Sequence, residues 1–260
     1  MEERAEENMG IAIANNIEFA ETLAGRHPRE ILEFAIREYS SRVAISFSGS
    51  GSAALIDMAS KIFGKGSFDE APFRVFTLDT GRLHSETYQF IDKMRERYRI
   101  PIEVFFPQPE AVQELVREKG LFSFYRDGHQ ECCGIRKVEP LRRALSSLDA
   151  WITGQRRDQS PWTRNELPTV QIDSTHSTPD HELVKFNPLA NWTSEQIWNY
   201  IHENDVPYNA LHEKGFISIG CEPCTRAILP GQHERAGRWW WEDESKKECG
   251  LHAGNLGSNR

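Results

Sequence analysis

No run in this 260-residue chain is apolar for long enough to cross a bilayer. Its first residues, Met1-Glu2-Glu3-Arg4-Ala5-Glu6-Glu7, have neither the basic start nor the apolar middle of a secretory leader. A membrane protein and an exported one are therefore not expected, and the reading is a cytoplasmic protein. There is no Pro- or Gly-rich stretch of linker length and no internal repeat, which excludes a string of tethered modules and a solenoid. Positive charge is in deficit: the net charge is -8, which argues against general nucleic-acid binding but leaves room for a local basic pocket. A Walker A loop is missing too, since Gly64-Lys65 lacks both the leading Gly and the trailing Ser or Thr.

What is present is a regular alternation of strand and helix patterns. Val43–Phe47 reads as a short buried strand that runs into the loop Ser48-Gly49-Ser50-Gly51-Ser52 and then a helix over Ala53–Phe63. Strands are expected at Arg74–Leu78, Pro101–Phe106, Ala150–Gly154 and near Leu183–Phe186. Helices are expected at His84–Tyr98, Pro109–Lys119, Gly134–Leu148 and Thr193–Asn204. Residues 157–182 read as polar loop, including Thr169–Ile172. This order predicts one α/β domain whose mostly parallel sheet is covered on both faces. The expected division is an N-terminal segment over residues 1–27, the α/β domain over 28–215, and a tail over 216–260 that drapes across a site.

A strand, a Gly/Ser loop and a helix present backbone N–H groups at a positive helix end, which suits a phosphate or sulfate. The loop also matches the relaxed dinucleotide pattern G-x-G-x-x-A over Gly49–Ala54. That match is weak, because the acid ending the second strand, Asp79, lies about thirty residues on rather than the ~20 of a ribose-binding acid. Asp79 equally suits a simple helix cap.

Cysteine is scarce but patterned. The five cysteines fall into the adjacent pair Cys132-Cys133, the pair in Cys221-Glu222-Pro223-Cys224, and the lone Cys249. Cys-x-x-Cys alone is shared by zinc ribbons, redox pairs and iron–sulfur sites. Adjacent cysteines supply no usual zinc-finger spacing, and thiolates without His favour iron–sulfur or zinc over harder metals. Lone Cys249 lies between Lys246-Lys247 and His252, and cations beside a thiol lower its pKa and make it a better nucleophile at neutral pH. Arg156, Arg157, Arg164, Lys137, Arg235 and Arg238 stand at strand ends and loops, where they form a candidate anion pocket.

With these residues in view, the chain resembles the assimilatory sulfonucleotide reductases, and within them the cluster-bearing adenylyl-sulfate (APS) reductases. Five ordered motifs carry the likeness: Leu78-Asp79-Thr80-Gly81-Arg82-Leu83-His84, Cys132-Cys133-Gly134-Ile135-Arg136-Lys137, Thr153-Gly154-Gln155-Arg156-Arg157, Gly220-Cys221-Glu222-Pro223-Cys224 and Glu248-Cys249-Gly250-Leu251-His252. The resemblance implies a Rossmann-like domain of the adenine nucleotide alpha hydrolase-like type. It implies that Cys132, Cys133, Cys221 and Cys224 hold a [4Fe-4S] cluster. It implies that Cys249 attacks the sulfur of APS, expels AMP and becomes S-sulfocysteine, from which thioredoxin releases sulfite. By the same likeness, Lys137, Arg235, Arg238 and His252 neutralise the phosphosulfate. Ser48, Gly49, Ser50, Gly51, Ser52, Leu78 and Gly154 line the nucleotide pocket, with Arg156, Arg157 and Arg164 nearby. A homo-oligomer is compatible with this picture; a nucleic-acid or membrane partner is not expected.

Phosphoadenylyl-sulfate (PAPS) reductases of the same family generally lack both cysteine pairs, so the pairs favour the APS branch; the alternative is a PAPS reductase or a dual enzyme. The first loop departs from the cluster-bearing pattern, which commonly reads Ser-Gly-Ala-Glu-Asp. Without those acids, repulsion of a 3′-phosphate is relieved, and better tolerance of PAPS is expected. Trp162 also stands where a smaller residue is expected. Two other classes fit less well. A nucleotide-activating enzyme of the pyrophosphatase-loop type needs an Asp that this loop lacks. A redox-sensing regulator would leave Cys249 and the arginines without a role.

Overall fold

The computed structural model describes residues 19, 22–68, 70–160, 163–243, 247, 250 and 251. Cys249, His252 and Trp162 lie outside the described residues. Three short parallel strands, β1 (Val43–Ser46), β2 (Arg74–Leu78) and β4 (Ala150–Ile152), form the centre of a six-stranded sheet. Adding β3 (Glu103–Phe105), β5 (Val170–Ile172) and β6 (Val184–Phe186) gives the order β3-β2-β1-β4-β6-β5. All neighbours are parallel except β5 and β6.

The helices explain why both faces are dry. Helices α1 (Pro28–Tyr39), α2 (Ser50–Phe63) and α3 (Ser85–Tyr98) cover one face, and the next long helix, α4 (Pro109–Lys119), follows β3. Val43, Ile45, Val75, Ala150 and Ile152 point into that first core with Ile31, Leu55 and Met94. Their neighbours Ala44, Phe76 and Trp151 point the other way, into a second core with Leu141, Leu145 and Leu148. This alternation is the two-residue period of a strand expressed in a sheet buried on both sides.

Helix α2 is pinned internally as well. Buried Asp57 accepts hydrogen bonds from the Tyr98 hydroxyl of α3 (3.0 Å) and from the Tyr200 hydroxyl (2.6 Å), the latter in a helix over Ser194–Glu203. Both phenols are pushed well above the usual range by burial and by that carboxylate.

Two expectations need correction. Residues 170–172 are strand β5, not loop: Gln171 pairs opposite Lys185 on β6. Three residues are too few to display a period, so the strand exists because β6 offers it an edge. The helix expected over 134–148 is present but starts earlier, at Gln130, winds as a π segment over Gly134–Val138 and ends at Leu145. After α5 (Phe124–Asp127) and α6 (Gln130–Cys133), the backbone makes a π-turn over Gly134–Val138 before α7 (Glu139–Leu145). Pro140 has no N–H to continue the ladder, and π-turns of this sort gather at functional positions. The remaining helix, α8 (Ser194–Glu203), starts on a capping box in which Thr193 Oγ1 accepts from Gln196 N (3.2 Å) and Gln196 Oε1 accepts from Thr193 N (2.8 Å). Among the described residues, no helix is long and apolar enough to cross a membrane.

Candidate active site

Strand order reverses between β1 and β4, because the chain builds outward through β2 and β3 on one side and through β4, β6 and β5 on the other. A crevice at the carboxyl ends of such strands is where α/β sheets take ligands. Here it is a cavity of about 260 Å³ lined by the loop after β1 (Ser48–Ser52), Leu78 and Thr80 after β2, and Thr153–Arg156 after β4.

The loop after β1 leads directly into α2, which starts at Ser50 rather than Ala53. Ser52 Oγ accepts from the backbone N–H of Ser48 (2.9 Å) and Gly49 (3.1 Å), which folds the loop back on its own helix. The amides of Ser50, Gly51 and Ser52 are first-turn groups with no acceptor inside the helix, so they form the polar floor of the cavity. Two glycines let this floor meet the β4 loop. A Cβ on Gly154 would lie 2.6 Å from Ser52 N, and one on Gly51 would lie 2.8 Å from Gly154 O. Neither position has room for a side chain. An acid cannot be placed at Gly51 without moving the β4 loop, so this backbone contact accounts for the first of the two missing acids and not for the one at Ser52.

Cationic side chains close the other walls. Lys137, Arg156, Arg164, Arg235 and Arg238 all line the cavity, and all are buried. Arg156 donates from Nε to Asp158 (2.9 Å) and from Nη2 to Glu234 (3.0 Å), and Arg164 Nη1 donates to Gln159 Oε1. Burial raises the Glu234 carboxyl, against the pull of Arg156. Arg235 Nη2 donates to the carbonyl of Lys247 (2.6 Å), and Leu251 also lines the cavity. Those two residues stand on either side of Cys249 in the chain. Arg157 is placed elsewhere: it donates to Leu167 O (2.8 Å) and Asn191 Oδ1 (2.7 Å) and ties the β4 loop to the segment before α8. Asp79 is spent on its own turn, with Oδ1 accepting from Gly81 N (2.8 Å) and the Tyr88 hydroxyl (2.9 Å).

Next to this crevice is a second, smaller cavity lined by Cys132, Cys133, Cys221 and Cys224 together with Arg82, His129, Arg136 and Lys137. Two cysteine pairs almost ninety residues apart in sequence meet here because the turn after β2 is stitched to the second pair. Glu222 N donates to Arg82 O (2.8 Å), Leu83 bridges Cys221, and Thr80 Oγ1 lies 3.2 Å from Cys221 Sγ. Arg136 Nη1 donates to Thr80 O (2.7 Å) and brings in the π-turn that follows the first pair. None of the four thiols is in a disulfide.

Their acidities diverge. Burial raises Cys221, but Lys137, the Thr80 hydroxyl, Arg238 and Arg136 more than offset it and hold the thiol below the usual range. Burial and the neighbouring Cys221 push Cys224 up to about 12, and burial raises Cys132. Among the described residues, no three His, Cys, Asp or Glu side chains are set to grip one metal ion. All four thiols line the one small cavity.

Several side chains in these two cavities carry no signal in the sequence. Glu234 and Trp239 line the first. His129, whose Nδ1 is 2.7 Å from Glu242 Oε2, lines the second. A Glu, Trp or His in a loop has no spacing that would mark it.

Residues 42–227 match the model of the phosphoadenosine phosphosulfate reductase domain. The chain is similar to an adenosine 5'-phosphosulfate reductase of Pseudomonas aeruginosa (strain LESB58), 57% identical over 237 residues that cover 91% of this chain and 86% of that protein. It is also similar to 5'-adenylylsulfate reductase 1, chloroplastic, of Arabidopsis thaliana, 55% identical across 99% of this chain but only 54% of the longer plant protein. Among solved structures, phosphoadenylyl-sulfate (PAPS) reductase from Candida auris in a phosphate complex superimposes with a TM-score of 0.64 at 26% identity, covering 82% of this chain and 96% of that one. The mostly parallel sheet with ligand loops at its carboxyl edge is thus the nucleotide alpha hydrolase-like fold that the resemblance implied.

Proposed function

Because the chain belongs to the phosphoadenosine phosphosulfate reductase family, we propose that it reduces adenylyl sulfate to sulfite and AMP, with thioredoxin as the electron donor, in the assimilation of sulfate toward cysteine. The observation that carries this reading is one crevice that joins a helix-N-terminal loop, a glycine-lined slot and the cations Lys137, Arg235 and Arg238. That combination suits a nucleotide with an anionic tail. The Cys249 thiolate attacks the sulfur of APS, the S–O bond breaks, and the electron pair leaves on the phosphate of AMP. The product on the enzyme is a Cys249 S-sulfocysteine. One thioredoxin thiol then attacks the Cys249 sulfur and expels sulfite, and the second thiol closes the thioredoxin disulfide and restores the Cys249 thiol. The reaction is taken to be cytoplasmic, where thiols stay reduced.

What this chain contributes is position and charge. The first-turn amides of α2 and the basic side chains hold the phosphosulfate where a nucleophile can approach in line, and they neutralise the charge that builds on the leaving phosphate. Leu251 lines the same crevice and the Lys247 carbonyl is held by Arg235 of its wall, which supports the Cys249 segment as the one that delivers the thiol.

Cys132, Cys133, Cys221 and Cys224 are proposed to hold a [4Fe-4S] cluster. Four thiols around one void suit a polynuclear group better than a structural zinc, whose ligands all touch a single ion at about 2.3 Å. Bound, the cluster supplies fixed charge and a cross-link between the two cysteine segments, while the electrons for sulfite release come from thioredoxin. Brown protein with matching iron and sulfide supports this assignment; colourless protein containing zinc overturns it.

The reaction itself is tested by intact-mass analysis after mixing with APS without reductant. The expected result is one sulfite-mass adduct per chain with stoichiometric AMP release, lost in Cys249→Ser. AMP release that survives Cys249→Ser would reject the nucleophile. The same assay with PAPS compares the two substrates.

A further inference from the structure

Between the two cavities lies a residue to which neither the family likeness nor the motifs assign a role. Trp239 is only 1% exposed, belongs to the same packed cluster as Cys133, Cys221 and Cys224, and also lines the anion crevice. Three cations of that crevice gather on its ring. The Arg238 guanidinium carbon is 4.4 Å from the ring centroid, Lys137 Nζ is 5.7 Å away, and the Arg235 guanidinium carbon is 5.8 Å away. A cation near an indole face is attracted by the ring's quadrupole, most strongly where water is excluded.

The ring is itself held on several sides. His129 stacks on it at 4.2 Å and 22°, and His129 is anchored by Glu242, which accepts from both its backbone N (2.9 Å) and its ring nitrogen (2.7 Å). Trp239 N donates to Cys224 O (3.2 Å). The backbone of Trp239 has φ 39°, a left-handed conformation that is costly for a bulky residue and persists only where its surroundings fix it. Gly220 completes the seat: a Cβ there would lie 2.4 Å from Arg238 Nη2, so the bare backbone leaves that guanidinium its room. Among the described residues the buried Trp239 Nε1–H has no acceptor, an expensive omission for a donor in a ligand cavity.

We propose that Trp239 is a positioning residue for the anionic tail of the substrate: its indole holds Lys137, Arg235 and Arg238 at the spacing that the phosphosulfate requires. Like charges brought this close repel one another, and the π face offsets that repulsion before the substrate arrives. The same ring packs against the cysteine cavity, so the thiol-bearing segment and the anion pocket share one wall. This inference rests on the reading of the crevice as a sulfonucleotide site and adds to it the part that discriminates charge.

The test compares wild type, Trp239→Leu and Trp239→Phe as purified, metal-loaded proteins. The probes are ADP, as an unreactive diphosphate, and adenosine, which has no anionic tail. For Trp239→Leu the expected loss is about tenfold in ADP affinity (about 1.4 kcal/mol), with adenosine binding within about twofold of wild type. Trp239→Phe, which keeps an aromatic face, is expected to stay within about threefold for ADP. Parallel loss of ADP and adenosine in Trp239→Leu would mean a purely structural ring and would overturn the proposal. So would Trp239→Phe as weak as Trp239→Leu, or unchanged ADP binding in both. A wild-type protein that forms no adduct with APS would reject the function instead, and it leaves the ADP-to-adenosine comparison readable.

Discussion

The two adjoining cavities are built in opposite ways. The anion crevice is laid down by the sheet: its floor is backbone from the ends of β1, β2 and β4, and large cores on both faces hold those strands. The cysteine cavity sits between the first turn of the helix that begins at Gln130 and continues through a π segment, a four-residue helix before it, and the 3₁₀ turn Glu222–Cys224, and the small core around it includes Cys133, Cys221 and Cys224 themselves. A four-residue helix and a 3₁₀ turn do not stand on propensity. The first cavity is thus a consequence of the fold, whereas the second would take much of its order from the cluster proposed for its thiols, because metal binding and local folding share one free energy. Lys137, which lines both, and Trp239, which lines one and packs against the other, are where they meet.

The hardest strain on this contrast is Cys221→Ser. Iron is expected to be lost. Amide exchange across residues 121–138 and 220–241 should then speed up by at least about tenfold (about 1.4 kcal/mol of local opening), while β1, β2 and β4 stay protected. Equal acceleration in the central strands would show that the cavities belong to one cooperative unit.

A smaller effect is expected from the other side. Gly154→Ala drives a methyl toward Ser52 N, and overpacking of this kind costs about 1–3 kcal/mol. Adenine-nucleotide affinity should fall at least about tenfold, with iron content and colour unchanged. Nucleotide binding that survives would mean that the loops part easily and the crevice is not preformed.

The smallest effect concerns pH. Burial lowers His212, which lines the crevice and packs edge-on against Trp198. Its folded-state pKa lies below the unfolded value of about 6.5, so the unfolded chain takes up the proton first as pH drops. His212 therefore contributes stability that is present above about pH 6.5 and lost as pH falls through and below it. Between pH 7 and 5 the Tm of wild type should drop further than that of His212→Asn. An equal drop in both would remove His212 from the account.

Much of the fold was legible because it is local. Arg74–Leu78 and Pro109–Lys119 have the bounds that their patterns imply. The glycines of the first loop also announced themselves, although their reason, the contact of Gly51 with Gly154, lies about a hundred residues away in sequence. What escaped is non-local. Strand β5 is defined by its partner β6, and the π segment after Cys133 belongs to the cysteine cavity. Arg157 shares a motif with Arg156, yet points toward Asn191 and away from the crevice, since neighbours leaving a strand end diverge.

The sequence by itself determined the alternation of strand and helix, the two cysteine pairs, the spare cysteine and the family, because these depend on residues a few positions apart or on motifs in order. Only the tertiary structure decided that Cys132 and Cys133 share a cavity with Cys221 and Cys224, and that Arg156 is answered by Glu234. It alone gathered three cations on Trp239. The physical reason is that these contacts join segments whose approach is set by sheet order and core packing, not by the sequence of either segment.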